Sequence, residues 1–374
     1  MGARTKRWRA AVCAAILGAA ARSEASTVVE PIARLSLEGG YDSNVLHDGA
    51  SPDRTGRISP EAGLRLRDHL WATSLEWRGD WIAYERLAPQ GTWNHRGAFV
   101  LDARPTRRLQ LDAVLRGAWA RDEVGLAQAG VFRPGRQAAL LLGGTARAEY
   151  RGSRRTDVAL ALTERTVRFE DLTGGAMHAA RAEALWRTTH LLSLGGAYGF
   201  SVFQGFDPVG NDLAFAHALR ARSRWRPTRR LALEASAGPA LWVGRDRPAL
   251  VPEAQVELQA ASRAWALRAT VFHGLGIGST ARPGLVDSFE FGAERRLGRR
   301  WRLRGDGGIW HSGLAPTGRD AVTGWAGSAE AGVLVGMNVR VALAAAHFAR
   351  LDDGSRALRR TTLGIRLGWE LPER

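Results

Sequence analysis

The chain has 374 residues, 45% of them hydrophobic, and a formal net charge of +16. Its single cysteine, Cys13, lies near the N-terminus, which excludes disulfides and thiol-based metal or redox sites from the rest of the chain. The charge alone would suggest a nucleic-acid partner, but the arginines fall at every second residue and in turns rather than on one helix or loop, so nucleic acid is not expected.

Arg4, Lys6, Arg7 and Arg9 precede an apolar run at 10–20 that is too short to cross a bilayer as a helix. This reads as a secretory signal peptide over residues 1–25, with a small-residue cleavage site at Ser23-Glu24-Ala25. Cys13 sits ahead of most of the apolar run, badly placed for a lipoprotein cysteine. After residue 20 no stretch is apolar for long enough to form a membrane helix.

From there the pattern has period two, the mark of strands, whose successive side chains leave opposite faces. In the stretch 104–123, a basic Arg-Pro-Thr-Arg-Arg turn is followed by Leu109, Leu111, Ala113, Leu115, Gly117 and Trp119 on one face. Gln110, Asp112, Arg116 and Ala118 occupy the other. The unit recurs at 226–246, where Leu231, Leu233 and Ala235 form the apolar row and Glu234 stands in the place of Asp112. Strands are expected near 31–41, 57–67, 70–84, 93–103, 108–121, 137–151, 156–170, 175–187 and 191–203. The series continues near 211–225, 230–244, 251–261, 264–275, 285–297, 300–311, 321–337, 338–350 and 356–371. Their connections are expected to alternate between short Arg-rich turns and longer Gly/Pro/Asp loops such as 205–212, 314–320 and 351–355.

Tryptophan placement supports the pattern. Trp71, Trp186, Trp225, Trp265, Trp301 and Trp369 lie near short turns or the C-terminus; Trp81, Trp93, Trp119, Trp242, Trp310 and Trp325 lie near the longer loops. Two such belts suit the two interfaces of a membrane. The fold expected is all-β: a transmembrane antiparallel up-and-down β-barrel of about 18 strands over residues 26–374. Both termini would lie in the periplasm, and no plug domain would precede the first strand.

The last strand carries Thr362, Gly364, Leu367 and Trp369 in a polar-x-Gly-x-x-apolar-x-aromatic pattern. It resembles the terminal strand recognised by the bacterial barrel-assembly machinery, although five residues follow Trp369 where many such proteins end on the aromatic. Taken whole, the chain resembles bacterial outer-membrane β-barrels. More narrowly, Gly40-Tyr41-Asp42-Ser43-Asn44-Val45 is similar to the first-strand segment of barrels found with exopolysaccharide secretion systems. That resemblance implies a porin-like barrel completing a polysaccharide export route, with a periplasmic polysaccharide-export protein as partner. The residues by themselves read equally well as an Asx-rich turn closing the first strand.

If the leucine rows face lipid, the charged rows face inward, because an arginine at mid-bilayer costs roughly 2–4 kcal/mol. Arg116, Arg222, Arg224, Arg302, Arg304, Arg340, Arg366 and Asp112 are the candidate pore-lining residues. The five arginines at 222, 224, 302, 304 and 340 are expected to ring the periplasmic end and to leave a positive surplus that favours anions. Cross-strand arginine–acid pairs that merely brace the wall are the alternative.

Catalytic patterns are poor. His178, His217, His273 and His347 fall in different strands, and an interfacial histidine is preferred at position 217 over a Ser/His/carboxylate site on the lipid face. Asp352-Asp353 reads as a solvated turn rather than a cation site. No phosphate-cradling loop or metal-ligand spacing occurs, so neither cofactor nor metal is expected. The function expected is an aqueous outer-membrane channel, with a closed structural or adhesive barrel and a barrel-embedded enzyme as alternatives. The lipid bilayer, lipopolysaccharide and the assembly machinery are the expected partners.

Overall fold

The computed structural model describes residues 27–46, 51–88, 91–121, 137–207, 210–244, 247–278, 282–314, 319–352 and 358–371. The stretch expected to be a signal peptide and the residues carrying Asp353 lie outside them. Eighteen strands fill the described chain. The first nine are β1 (Val28–Asp42), β2 (Asp53–Arg67), β3 (Trp71–Tyr84), β4 (Thr92–Ala103), β5 (Leu109–Ala120), β6 (Ala139–Arg151), β7 (Thr156–Phe169), β8 (Gly174–Arg187) and β9 (Leu192–Asp207). The rest are β10 (Gly210–Thr228), β11 (Leu231–Val243), β12 (Ala249–Ala261), β13 (Trp265–Ile277), β14 (Pro283–Leu297), β15 (Trp301–Leu314), β16 (Arg319–Leu334), β17 (Val339–Asp352) and β18 (Leu358–Glu370).

Each strand pairs antiparallel with its sequence neighbours, and β1 closes on β18 from Arg34↔Glu370 to Asp42↔Thr362. Closure leaves no sheet edge, so the ladder satisfies the backbone groups that hydrocarbon could not. The expected strands are all present, but several run further at the loop end. β9 and β10 pair up to Asp207↔Gly210, so the expected loop at 205–212 is a tight hairpin. Continued pairing gives the backbone partners above the membrane, and the first three loop-end connections are the longest of the barrel.

Period-two alternation sorts the faces as anticipated. Leu75, Leu115, Leu219, Leu343 and Ile365 are exposed on the outside, while Glu183, Glu253 and Arg360 are buried within. Trp186, Trp225, Trp265, Trp301 and Trp369 form the turn-end belt, and Trp81, Trp93 and Trp119 belong to the belt at the loop end. Two tryptophans expected in that outer belt do not join it. Trp242 is 6% exposed and Trp310 8%, and both point into the barrel. Their parity explains this: Trp242 shares the face of Glu234 and Trp310 that of Arg302, both inward. The described strand histidines, by contrast, are outward. His95 stacks on Trp93, His217 accepts or donates at Tyr198 Oη (2.7 Å), and His347 meets Thr361 Oγ1 (2.9 Å).

The seam between β1 and β18 is clasped by the Gly40–Val45 segment. Asp42 accepts two hydrogen bonds from Arg360 Nε at 3.0 and 2.9 Å, and a third from the backbone N–H of Asn44 at 3.0 Å, which closes an Asx turn. Asn44 Nδ2 donates to the Arg359 carbonyl (2.9 Å), and Ser43 exchanges bonds with the Thr361 backbone. A Cβ at Gly40 would sit 2.3 Å from the Leu363 carbonyl oxygen, so the close strand approach needs glycine there. Val45 is fully buried with Ile82 and Tyr84. Just beyond, the buried Asp53 carboxylate accepts from the backbone N–H groups of Leu87 (2.9 Å), Arg86 (3.0 Å) and Arg54 (2.8 Å). Gly40, Asp42, Ser43, Asn44 and Val45 thus each have a structural task.

Candidate functional site: the lumen

The inward rows place arginines and acids on adjacent or next-adjacent strands, at separations that allow direct pairing. Arg222 of β10 bridges Glu183 of β8 and Glu234 of β11, and Arg224 Nε donates to the same Glu234 at 2.8 Å. Arg302 donates to Glu294 (2.5 Å), and Arg366 reaches Glu38 across the seam and Glu330 on β16, both at 2.8 Å. Arg304 approaches Asp306 at 3.7 Å and remains largely exposed, while Arg340 packs over Gly332 with its Nε unsatisfied. Asp112 accepts from Gln110 Nε2 (3.0 Å). Arg116 lies exposed at mid-wall beside a cavity of about 430 Å³ that it shares with Glu290 and Arg304.

The structure therefore does not gather the five turn-end arginines into a ring of free cations. Arg222, Arg224 and Arg302 are matched by Glu183, Glu234 and Glu294; Arg304 and Arg340 are less fully compensated. Glu183 and Glu234 are the residues most underrated from sequence. Their inward parity was legible, but which strands they reach depends on barrel stagger.

The lumen narrows at the loop end, and this feature was not anticipated. The β12–β13 ladder stops at Ala254↔His273, whereas β13 and β14 stay paired to Ile277↔Pro283. The hairpin from Gly274 to Val286 peels from β12 and folds inward. Gly274 has φ +158, at the limit of the region open to side-chain-bearing residues, and the Leu275 N–H beyond it is taken up by Glu253 Oε1 at 3.2 Å. Leu275 and Ile277 then pack on Phe203, Trp242 and Val251, with Met177 and Leu285 at the margin. Arg282 reaches Asp207 across the opening at 3.3 Å. Below the hairpin, open space persists: a mid-barrel cavity of about 970 Å³ and another of about 1270 Å³ at the turn end.

A closed eighteen-stranded barrel, apolar outside and charged inside, is an outer-membrane β-barrel. No family model matches the sequence, and no curated protein matches it. Solved structures do resemble it. The Pseudomonas aeruginosa OpdQ superimposes with a TM-score of 0.44 at 8% identity, over 92% of this chain and 98% of that one. The P. aeruginosa OccK1 (OpdK) gives 0.45 at 10% identity, over 91% and 99%, and Acinetobacter baumannii OccAB2 gives 0.41 at 10%, over 92% and 98%. At these scores the likeness adds nothing to the chain's own strand ladder. Among the described residues no group of histidine, cysteine or carboxylate side chains is arranged to hold a metal ion. His217 has Tyr198 and Phe200 as neighbours rather than a serine and a carboxylate.

Proposed function

We propose that the protein is a passive aqueous channel of the outer membrane, narrowed at its outer mouth by the β13–β14 hairpin and biased toward anions at its periplasmic end. The observation that carries this is the continuous inward display of ionised side chains beside cavities of about 970 and 1270 Å³. Such residues are sustained by water, and a barrel of this strand number is wider than its own side chains can fill. The finer reading, export of an anionic polysaccharide, loses the support of the Gly40–Val45 segment, whose residues serve the seam. It keeps the support of a basic periplasmic mouth.

Selectivity tests the anion bias. Under a salt gradient the wild type is expected to show an anion-selective reversal potential, stronger at low salt, where the Debye length is roughly 30 Å at 0.01 M. Changing Arg222, Arg224, Arg302, Arg304 and Arg340 together to Gln uncovers Glu183, Glu234 and Glu294 and should move selectivity toward cations. A cation-selective wild type, or a reversal potential unmoved by the five changes, would leave these arginines only a wall-bracing role.

A further inference from the structure

The lipid-facing wall is dented across β6–β11. Its outward positions there are small: Ala182 and Ala184 on β8, Gly196 on β9 and Ala221 on β10 form a floor. Tyr150 and Leu160 stand up on one side and Leu219 on the other, enclosing a groove of about 970 Å³. Glycines let the backbone bend beneath it: no Cβ fits at Gly195 against the Ala184 carbonyl, or at Gly238 against the Leu219 carbonyl. Leu219 lies six residues along β10 from Trp225 of the turn-end belt. At the usual rise and tilt that is roughly 15 Å along the membrane normal, so the groove lies in the periplasmic half of the bilayer.

The rim beneath the groove supplies charge. The turn at 152–155 joins β6, which carries Tyr150, to β7, which carries Leu160. Ser153 Oγ accepts from the N–H groups of Arg155 (3.1 Å) and Thr156 (3.0 Å). The Arg187 N–H donates to the Arg155 carbonyl at 2.7 Å, which seats the turn beside Trp186 of the belt. The acid next to the turn, Asp157, faces the lumen and is taken up by Arg151 and Arg187 at 3.7 and 3.6 Å. Arg154 and Arg155 are exposed and hold no acid among the described residues. Exposed arginines recur along the rim, as at Arg299 and Arg300, where Leu297, Trp301 and Leu303 cover the outer wall. At 154–155 the guanidinium groups stand directly below an apolar groove instead.

We propose that the groove and this turn form a site for one anionic phospholipid of the periplasmic leaflet. Its acyl chains lie along the floor, and its phosphodiester rests on Arg154 and Arg155. A convex wall touches a chain along one side, whereas a groove surrounds it and multiplies dispersion contacts. That favours any lipid chain; the class is set at the headgroup end. Guanidinium groups pair with phosphate oxygens, and Tyr150 and Trp186 stand exposed at the depth where amphipathic rings meet headgroups. A zwitterionic headgroup adds an ammonium that the two arginines repel, so an anionic one is preferred. Short turns face the periplasm, so the lipopolysaccharide of the outer leaflet is not the occupant. The inference is independent of whether the lumen conducts.

The test is native mass spectrometry of the protein released from detergent micelles. It is titrated with dioleoylphosphatidylglycerol, with dioleoylphosphatidylcholine, which has the same chains, and with glycerol phosphate. One phosphatidylglycerol is expected to be retained, on the order of tenfold more tightly than phosphatidylcholine, and glycerol phosphate should neither bind nor compete. Arg154→Gln/Arg155→Gln should make the two lipids equal. Ala184→Leu/Ala221→Leu, which fills the floor with a side chain the lipid face accepts, should lower retention of both. Arg299→Gln/Arg300→Gln should keep the wild-type preference. Heat-shifted gel migration verifies that each variant is folded. Equal retention of the two lipids by the wild type, an equal loss of preference in the 299/300 variant, or undiminished binding in the filled groove would overturn the proposal. Displacement of phosphatidylglycerol by glycerol phosphate would overturn it in favour of a soluble-anion site.

Discussion

Replacing Arg360 by leucine is expected to destabilise the barrel by about 3–5 kcal/mol, the cost of leaving a buried carboxylate without its counter-ion. Asp42 is 1% exposed and Arg360 3%, and the pair joins the first strand to the last. The loss therefore falls on the closure of the cylinder. Removing both charges with Asp42→Asn/Arg360→Leu should recover much of it, because the penalty comes from the orphaned ion and not from the absent bond. The measurement is the denaturant midpoint of the folded barrel in lipid vesicles. A single variant as stable as the wild type would mean that the seam is held by its backbone ladder alone.

The second large effect concerns facing. Leu111 points to lipid and Asp112 to the lumen, where it is bonded to Gln110. Leu111→Arg is expected to cost roughly 2–4 kcal/mol if it lies near mid-bilayer, and less toward the interface. Asp112→Arg should cost well under that, since the new charge meets water, and its like-charge neighbour Arg147 directly across the β5–β6 ladder is held by Glu149 and Glu183. The same denaturant titration compares them, and equal costs at the two positions would contradict the assignment of inside and outside.

That assignment was legible from the sequence because period two is a property of the strand itself. Leu219 and Arg220 had to face oppositely whatever the rest of the chain did. The same rule, applied to single residues, would have moved Trp242 and Trp310 indoors; proximity to loops was a weaker guide than parity. The in-folded hairpin was not legible for a different reason. Leu275 and Ile277 keep the parity of Val271, which faces lipid, so their alternation looks like one more membrane strand. What changes is the direction of the whole hairpin after Gly274, which turns an outer face against the inner wall of β9–β12. No local pattern encodes that; it follows from where the β12–β13 ladder stops. Pairing of the lumenal charges was hidden similarly. Glu183 meets both Arg147 and Arg222, two strands away on either side, and only the closed barrel brings those rows together.

Single-channel recording in planar bilayers reads both the pore and its narrowing by that hairpin. The wild type is expected to conduct in small, ohmic steps. A variant in which residues 276–284 are replaced by a short Gly-Ser turn lacks Ile277 and the Arg282 contact with Asp207, and its conductance should be severalfold larger. Silence from both proteins, with folding verified, would contradict the account and leave a closed structural barrel.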